Sequence, residues 1–281
     1  MNIKKLLVFF LLAFLPIAGI GWFLHSGEAS SNMLLTMVLT SACMFFPLVA
    51  VVITQLIFKE PVLGGLGISF KINRWWFIGW LLMPVFVAVT LGITLLMPGA
   101  KWTPDSETLQ TTFSQLPAGL GNVWGFVLVS VASGMIAGAT INAVFAFGEE
   151  IAWRGFLMKE FKGKSFTAAS LWIGFIWGLW HAPIILNGHN YPDHPALGVL
   201  MMIVFCILLT PILMYFRKKS GSVIVPAIMH GTINALAGIN LILVSPSNEL
   251  LYGCSGLAGF IALLLINICL YIYDTFISKE S

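Results

Sequence analysis

Charge is what this sequence has least of. Of its 281 residues, 9% are Asp, Glu, Lys or Arg, whereas 59% are hydrophobic. A soluble domain carries about 25% charged residues, so this chain cannot cover a water-facing surface and must face lipid. The net charge of +3 is modest. Its cations sit in short clusters between apolar runs, a pattern of membrane topology that argues against a nucleic-acid partner. Cysteine is also scarce. Cys43, Cys206, Cys254 and Cys269 lie in or beside apolar stretches, none in a C-x-x-C pair. That excludes a disulfide framework or a cysteine metal cluster and leaves buried apolar thiols. There is no soluble domain and no low-complexity tail, and no internal repeat is visible, which counts against the inverted-repeat plan of many transporters.

What the sequence has in quantity is long apolar runs. A helical span needs about 20 residues, and the runs predict spans over 6–24, 33–57, 76–97, 136–158, 167–186, 197–216, 222–244 and 251–273. The start, Met1-Asn-Ile-Lys-Lys before an apolar run, resembles a signal peptide. The run is long for one and no small-x-small site follows, so it reads as an uncleaved first helix. Lys and Arg fix the orientation. With the N-terminus inside, Lys4, Lys5, Lys59, Lys71, Arg74, Lys159, Lys162, Lys164, Arg217, Lys218, Lys219 and Lys279 all fall in cytoplasmic segments. Only Lys101, near Asp105 and Glu107, falls outside, in an outer loop running from Gly99 to Pro117. Both termini are therefore expected in the cytoplasm, in a bacterial plasma (inner) membrane. The expected fold is an all-α polytopic helix bundle, one transmembrane domain over 1–281, with about eight spans around a polar intramembrane cavity. The apolar stretch from Gly121 to Phe161 is too long for one span, so 122–135 is read as an interfacial or re-entrant helix that bends at Gly134 or Gly138.

Ionisable groups inside spans are costly and mark function by default. Here they gather in the second half: Glu149, Glu150 and Arg154; His181; and His230 with Asn234. At 1.5 Å per residue, Glu149 lies roughly 15 Å, His181 roughly 20 Å and His230 roughly 12 Å from the cytoplasmic ends of their spans. Three helices thus bring a carboxylate pair and two imidazoles to one layer. Glu150 and Arg154 are four apart and can pair, as His230 and Asn234 share a face. Glu149 and Glu150 point about 100° apart, so one is expected in the cavity and the other on Arg154, offsetting its burial.

Such a set suits hydrolysis. A carboxylate in a dry cavity can act as acid and base, a neutral His can hold a water, and a second His with an Asn can donate to an oxyanion. No serine or cysteine stands out as a nucleophile, so activated water is the simpler reading. Trp153, Trp172, Trp177 and Trp180 are read as packing and interface anchors. His189 and His194, near Asp193, are read as solvated loop residues rather than metal ligands, His25 as incidental, and the basic clusters as topology signals and lipid-headgroup contacts.

Taken in order, Glu149-Glu150-x-x-x-Arg154, then Trp177-x-x-x-His181, then His230-x-x-x-Asn234 resemble the CPBP family. These are the CAAX-protease and bacteriocin-processing intramembrane endopeptidases, also called the Abi or type II CAAX prenyl endopeptidase family. The resemblance covers about 120–245, taken as the catalytic core. It implies eight helices and a cavity open to the cytoplasm or inner leaflet. It also implies water activation by Glu149 and His181, an oxyanion site of His230 and Asn234, and support from Glu150 and Arg154. The second motif usually opens with Phe, and Trp177 in its place should alter packing more than chemistry. Family members have been described both as metalloproteases and as metal-free glutamate proteases. Zn²⁺ on Glu149, His181 and His230 is possible. The absence of H-E-x-x-H, and an Asn suited to an oxyanion, favour a mechanism that requires no cofactor. The expected partners are membrane lipid and a membrane-associated peptide or protein, such as a CAAX-type tail or a bacteriocin-like leader. Oligomeric state is left open. The rival readings are a non-proteolytic scaffold or regulator of the same fold and a proton-coupled transporter.

Overall fold

The computed structural model describes residues 2–26, 32–103, 106–116 and 119–277. Lys279 and Asp105, used in the charge count, and Pro117, the end of the outer loop, lie outside these residues.

The chain is a bundle of helices. In order these are α1 (Ile3–His25), α2 (Met33–Cys43), α3 (Phe46–Ile57), α4 (Arg74–Leu96), α5 (Glu107–Ser114), α6 (Val123–Ala139), α7 (Ile141–Glu150), α8 (Met158–Glu160), α9 (Phe166–Trp180), α10 (Ala182–Ile185), α11 (Pro195–Ser220), α12 (Ile224–Leu236), α13 (Ile239–Leu243) and α14 (Leu257–Ile272). Among the described residues, seven stretches are long and apolar enough to cross a bilayer, and the bent pair Val123–Ala139 with Ile141–Glu160 makes an eighth if it is one span. This is an integral multi-pass membrane protein.

Local chemistry sets the helix ends. Asn2, Asn32, Asn73, Asn122 and Ser165 each accept from a backbone N–H of the first turn, satisfying donors a helix cannot. α11 ends at Gly221, whose φ of 73° is the left-handed conformation that favours glycine at such a stop.

Three details depart from the sequence reading. The helix expected over 136–158 is broken at Thr140, where the axis bends by 49°. The bend is not at Gly134 or Gly138, because those glycines pack: a side chain on Gly138 would meet Thr232 of α12. After Glu150 the helix widens into a π-helical turn over Ile151–Leu157, every residue of which is buried. The outer loop folds in part, as a two-residue strand β1 (Lys101–Trp102) pairing antiparallel with β2 (Val244–Ser245), and as α5. In α5, Leu109 and Phe113 are four apart, so they share the face that is buried.

The two ends of the bundle differ. One carries Lys4, Lys5, Lys59, Lys71, Arg74, Lys159, Lys162, Lys164, Arg217, Lys218 and Lys219; the other carries Lys101 and the loops 186–194 and 244–256. The basic end is closed. Lys5, 1% exposed, holds through Nζ Glu60 at 2.7 Å and Glu160 at 2.6 Å, and Lys159 holds Glu60 at 3.1 Å. The loop before α4 folds under the bundle, with Leu66 buried and the Gly67 carbonyl accepting from Val223 N–H at 2.8 Å.

Candidate active site

α7, its π-helical continuation, α9 and α12 carry the ionisable residues to the interior. α9 lies against α11 through Gly174 and Gly178, where a Cβ would come within 2.6 Å of Ile207 Cα and 2.5 Å of Ile203 Cα. α12 lies against α6 and α7 through Gly231, where a Cβ would come within 2.6 Å of Gly138 O and of Ala143 N. Small residues at these crossings let backbones approach closely, the usual basis of helix association in lipid.

A cavity of about 410 Å³ opens between these helices, lined by Glu149, His181, His230 and Asn234. Glu150 and Arg154 do not line it. They lie behind it, both fully buried, with Arg154 Nη1 donating to Glu150 Oε1 at 2.8 Å. The division of the two glutamates is the one their 100° offset suggests. Arg154 Nη2 also donates to Thr210 Oγ1 at 2.9 Å, and its guanidinium lies over the Trp177 ring at 4.2 Å. Glu150 Oε1 faces His230 Nδ1 at 3.0 Å. A carboxylate oxygen accepts, so Nδ1 carries a hydrogen. His181 Nδ1 likewise faces the Trp177 carbonyl at 2.9 Å. A carbonyl can only accept, which puts the hydrogen of a neutral ring on Nδ1 and leaves Nε2 with its lone pair. Asn234 is exposed to the cavity, and its side chain has no hydrogen bond among the described residues.

The tryptophans are more than anchors. Trp177 Nε1 donates to Glu149 Oε2 at 2.6 Å, and Trp153 Nε1 donates to the same oxygen at 3.4 Å. Oε1 is left for another partner. Trp177 also packs edge-on to His230, with centroids 5.2 Å apart, and at 5.9 Å from His181. The expectation that Trp for Phe changes packing more than chemistry is therefore corrected: the indole N–H bonds the cavity carboxylate, which a phenyl ring cannot do. Trp180 packs edge-on to His181 at 5.0 Å and donates to Ala13 O at 3.0 Å, tying α9 to α1. Trp172 is exposed on the outside of the bundle. His189, read as a solvated loop residue, lines the cavity mouth, whereas His194 is exposed and faces Glu249 at 3.3 Å. Cys254 also lines the cavity, but burial pushes its thiol pKa up to about 12, which disfavours the nucleophilic thiolate.

Comparison with known families meets this geometry at one place. Residues 124–236 match the family model described as Rce1-like, type II CAAX prenyl endopeptidase Rce1-like. The matched stretch holds Glu149, Glu150, Arg154, Trp177, His181, His230 and Asn234, and it is consistent with the CPBP resemblance of the motifs. The family so described is one of CAAX-type endopeptidases, so the match supports peptidase chemistry. No curated protein matches the chain.

A zinc on Glu149, His181 and His230 can be tested on the donors. Glu149 Oε1 and Nε2 of each histidine remain as donors, and an Nδ1–H held by a carboxylate or carbonyl is what a zinc-bound histidine also has, so the test rests on their spacing. Among the described residues, no three His, Cys, Asp or Glu side chains stand close enough together to hold a metal ion. As they stand, Glu149, His181 and His230 are not gathered closely enough to hold that zinc.

The exposed part of the cavity lining lies toward the end of the bundle away from the basic segments. Its mouth is formed by His189 and Asn190 of the loop 186–194, by Ser255 of the loop 244–256, and by Thr40 of α2. The two loops belong to the end opposite the basic segments, and Thr40 lies in the half of the span 34–57 nearer that end. The mouth and the basic segments thus lie at opposite ends of the bundle.

Proposed function

We propose that this chain is an intramembrane endopeptidase that hydrolyses a peptide bond of a membrane-associated protein, without a cofactor. The observation that carries the reading is that Glu149, His181, His230 and Asn234, from three separate spans, line one cavity, while the charged pair Glu150–Arg154 stands behind them.

In this reading Glu149 Oε1 and His181 Nε2 hold the water. Glu149 takes its proton as the oxygen attacks the scissile carbonyl carbon. The new C–O bond pushes charge onto the carbonyl oxygen, which Asn234 Nδ2–H and His230 stabilise. The Glu150 carboxylate on Nδ1 fixes the orientation of the His230 ring toward that oxygen. Collapse of the intermediate breaks the C–N bond, and the proton held by Glu149 passes to the leaving amine. Trp153 and Trp177 fix the carboxylate, and Arg154 offsets the charge of Glu150. The catalytic core is the 120–245 region within a single transmembrane domain, in a bacterial inner membrane with both termini cytoplasmic.

The test is cleavage of a library of membrane-anchored peptides by the purified protein in detergent. Wild type is compared with Glu149→Ala and His181→Ala, with and without chelator. Loss of cleavage in both variants and retention with chelator is expected. Loss with chelator, restored by Zn²⁺, would contradict the metal-free mechanism, and no cleavage by folded wild type would favour a scaffold.

A further inference from the structure

We infer that the catalytic cavity takes its substrate from the extracytoplasmic side. Its substrate class is then a polypeptide whose scissile bond is presented in the outer half of the bilayer, and not a lipid-linked tail in the cytoplasm. The inference rests on the peptidase reading of the cavity.

Two independent features carry it. The first is charge. The cations cluster at the end of the bundle formed by the start of α1, the loop 58–73, the turn after α8 and the α11–α12 connection, whereas the opposite end carries Lys101 with Glu107, Asp193 and Glu249. Lys and Arg in short loops are retained on the cytoplasmic side, so the end with the cavity mouth is the outer one. The second is where the interior is open. Going from Glu149 toward the basic end, the chain meets Trp153, Arg154, Phe156 and Leu157, all 0% exposed, with Leu66 tucked beneath them. Arg217 Nη2 donates to the Leu66 carbonyl at 3.3 Å, and Ser222 Oγ donates to the Ser69 carbonyl at 2.5 Å, pinning the loop 58–73 as a floor. Going the other way, His181 leads to Ile184 and out to the exposed His189, and His230 leads through Asn234 and Gly238 to Leu241. The exposed loop residues at the mouth, His189 and Asn190, lie on the acidic end.

The occupant follows from the lining. Thr40, Ser41, His189, Asn190 and Ser255 offer hydrogen-bonding groups at the mouth, and Met202, Phe205 and Leu209 give an apolar wall beside the catalytic level. A span unwound near its outer end, or a chain re-entering from outside, would place polar backbone at the mouth and an apolar side chain against that wall.

The experiment uses His189→Cys and Ser255→Cys at the mouth and Gly163→Cys at the basic end, where a Cβ meets open space. Each full-length variant is exposed to a membrane-impermeant, positively charged methanethiosulfonate reagent, in intact cells and in inverted vesicles. Unsubstituted protein measures the native cysteines, three of which are buried. The expected result is labelling of both mouth cysteines in intact cells and of Gly163→Cys in inverted vesicles only. Mouth labelling from the inner side only, or from neither side, overturns the inference. The readout does not need turnover. A protein that cleaves peptides but labels from inside sinks this inference alone, and one that labels from outside but cleaves nothing sinks the peptidase reading and the substrate with it, leaving only the outward opening.

Discussion

Trp177 is the side chain on which most of the candidate site converges. Its indole N–H bonds Glu149, its ring packs on both histidines and under Arg154, and its carbonyl fixes His181. Trp177→Phe keeps the ring and the backbone carbonyl and removes only the donor. A hydrogen bond to a charged group contributes about 1.5–3 kcal/mol, so turnover should fall roughly 10- to 100-fold with KM little changed, read in the peptide-cleavage assay. Unchanged turnover would show that the donor has no part in catalysis. The sequence makes some of this legible and some not. Adjacent glutamates on a helix must point apart, which separates Glu149 from Glu150, and i,i+4 spacing pairs Glu150 with Arg154. Whether an indole four residues before His181 aims its N–H at a carboxylate on another helix depends on rotamers and crossing geometry, which spacing does not encode. His189 was hidden for a related reason: its loop folds back over a mouth that only the assembled helices create.

At the scale of the helices, the site depends on α9 lying against α11. Gly174 and Gly178 permit that approach, and Gly178→Val would drive methyl groups into the Ile203 backbone. Overpacking of this kind costs about 1–3 kcal/mol. The variant should melt at lower temperature in detergent and lose activity, while Gly163→Val, in open space, should match wild type. Spans and their order were legible because apolar length alone decides which segments can cross a bilayer. The bend was placed two to six residues early because glycine permits both bending and close packing; here Gly138 packs against α12 and the axis breaks at Thr140. The π-helical turn after Glu150 leaves no signature in composition, since Ile151–Leu157 reads as ordinary apolar helix.

For the whole molecule, one end is locked by charge and the other is open. Glu60, outside the spans, hydrogen-bonds with Lys5 and Lys159, which hold its carboxyl pKa below the ordinary value of 4.5. A depressed carboxyl pKa adds stability above the unfolded value and loses it as pH falls through the folded one. Thermal stability in detergent should therefore drop as pH is lowered below about 4.5, and Glu60→Gln should show less of that drop. An equal drop in both proteins would remove Glu60 from the account. Depth counting along the spans brought the candidate residues to one layer, yet it could not tell which face that layer opens to. That depends on the loop 58–73 closing one end and the loops 186–194 and 244–256 leaving the other open.

The central claim is that Glu149 activates water for peptide-bond hydrolysis. Glu149→Gln tests it most directly, because the amide keeps the shape and an oxygen acceptor for the indoles but cannot take a proton. Positioned acid–base groups contribute about 10²- to 10⁴-fold in rate. Cleavage of a membrane-anchored peptide should fall by that factor in folded Glu149→Gln protein, and wild-type turnover in that variant would contradict the account.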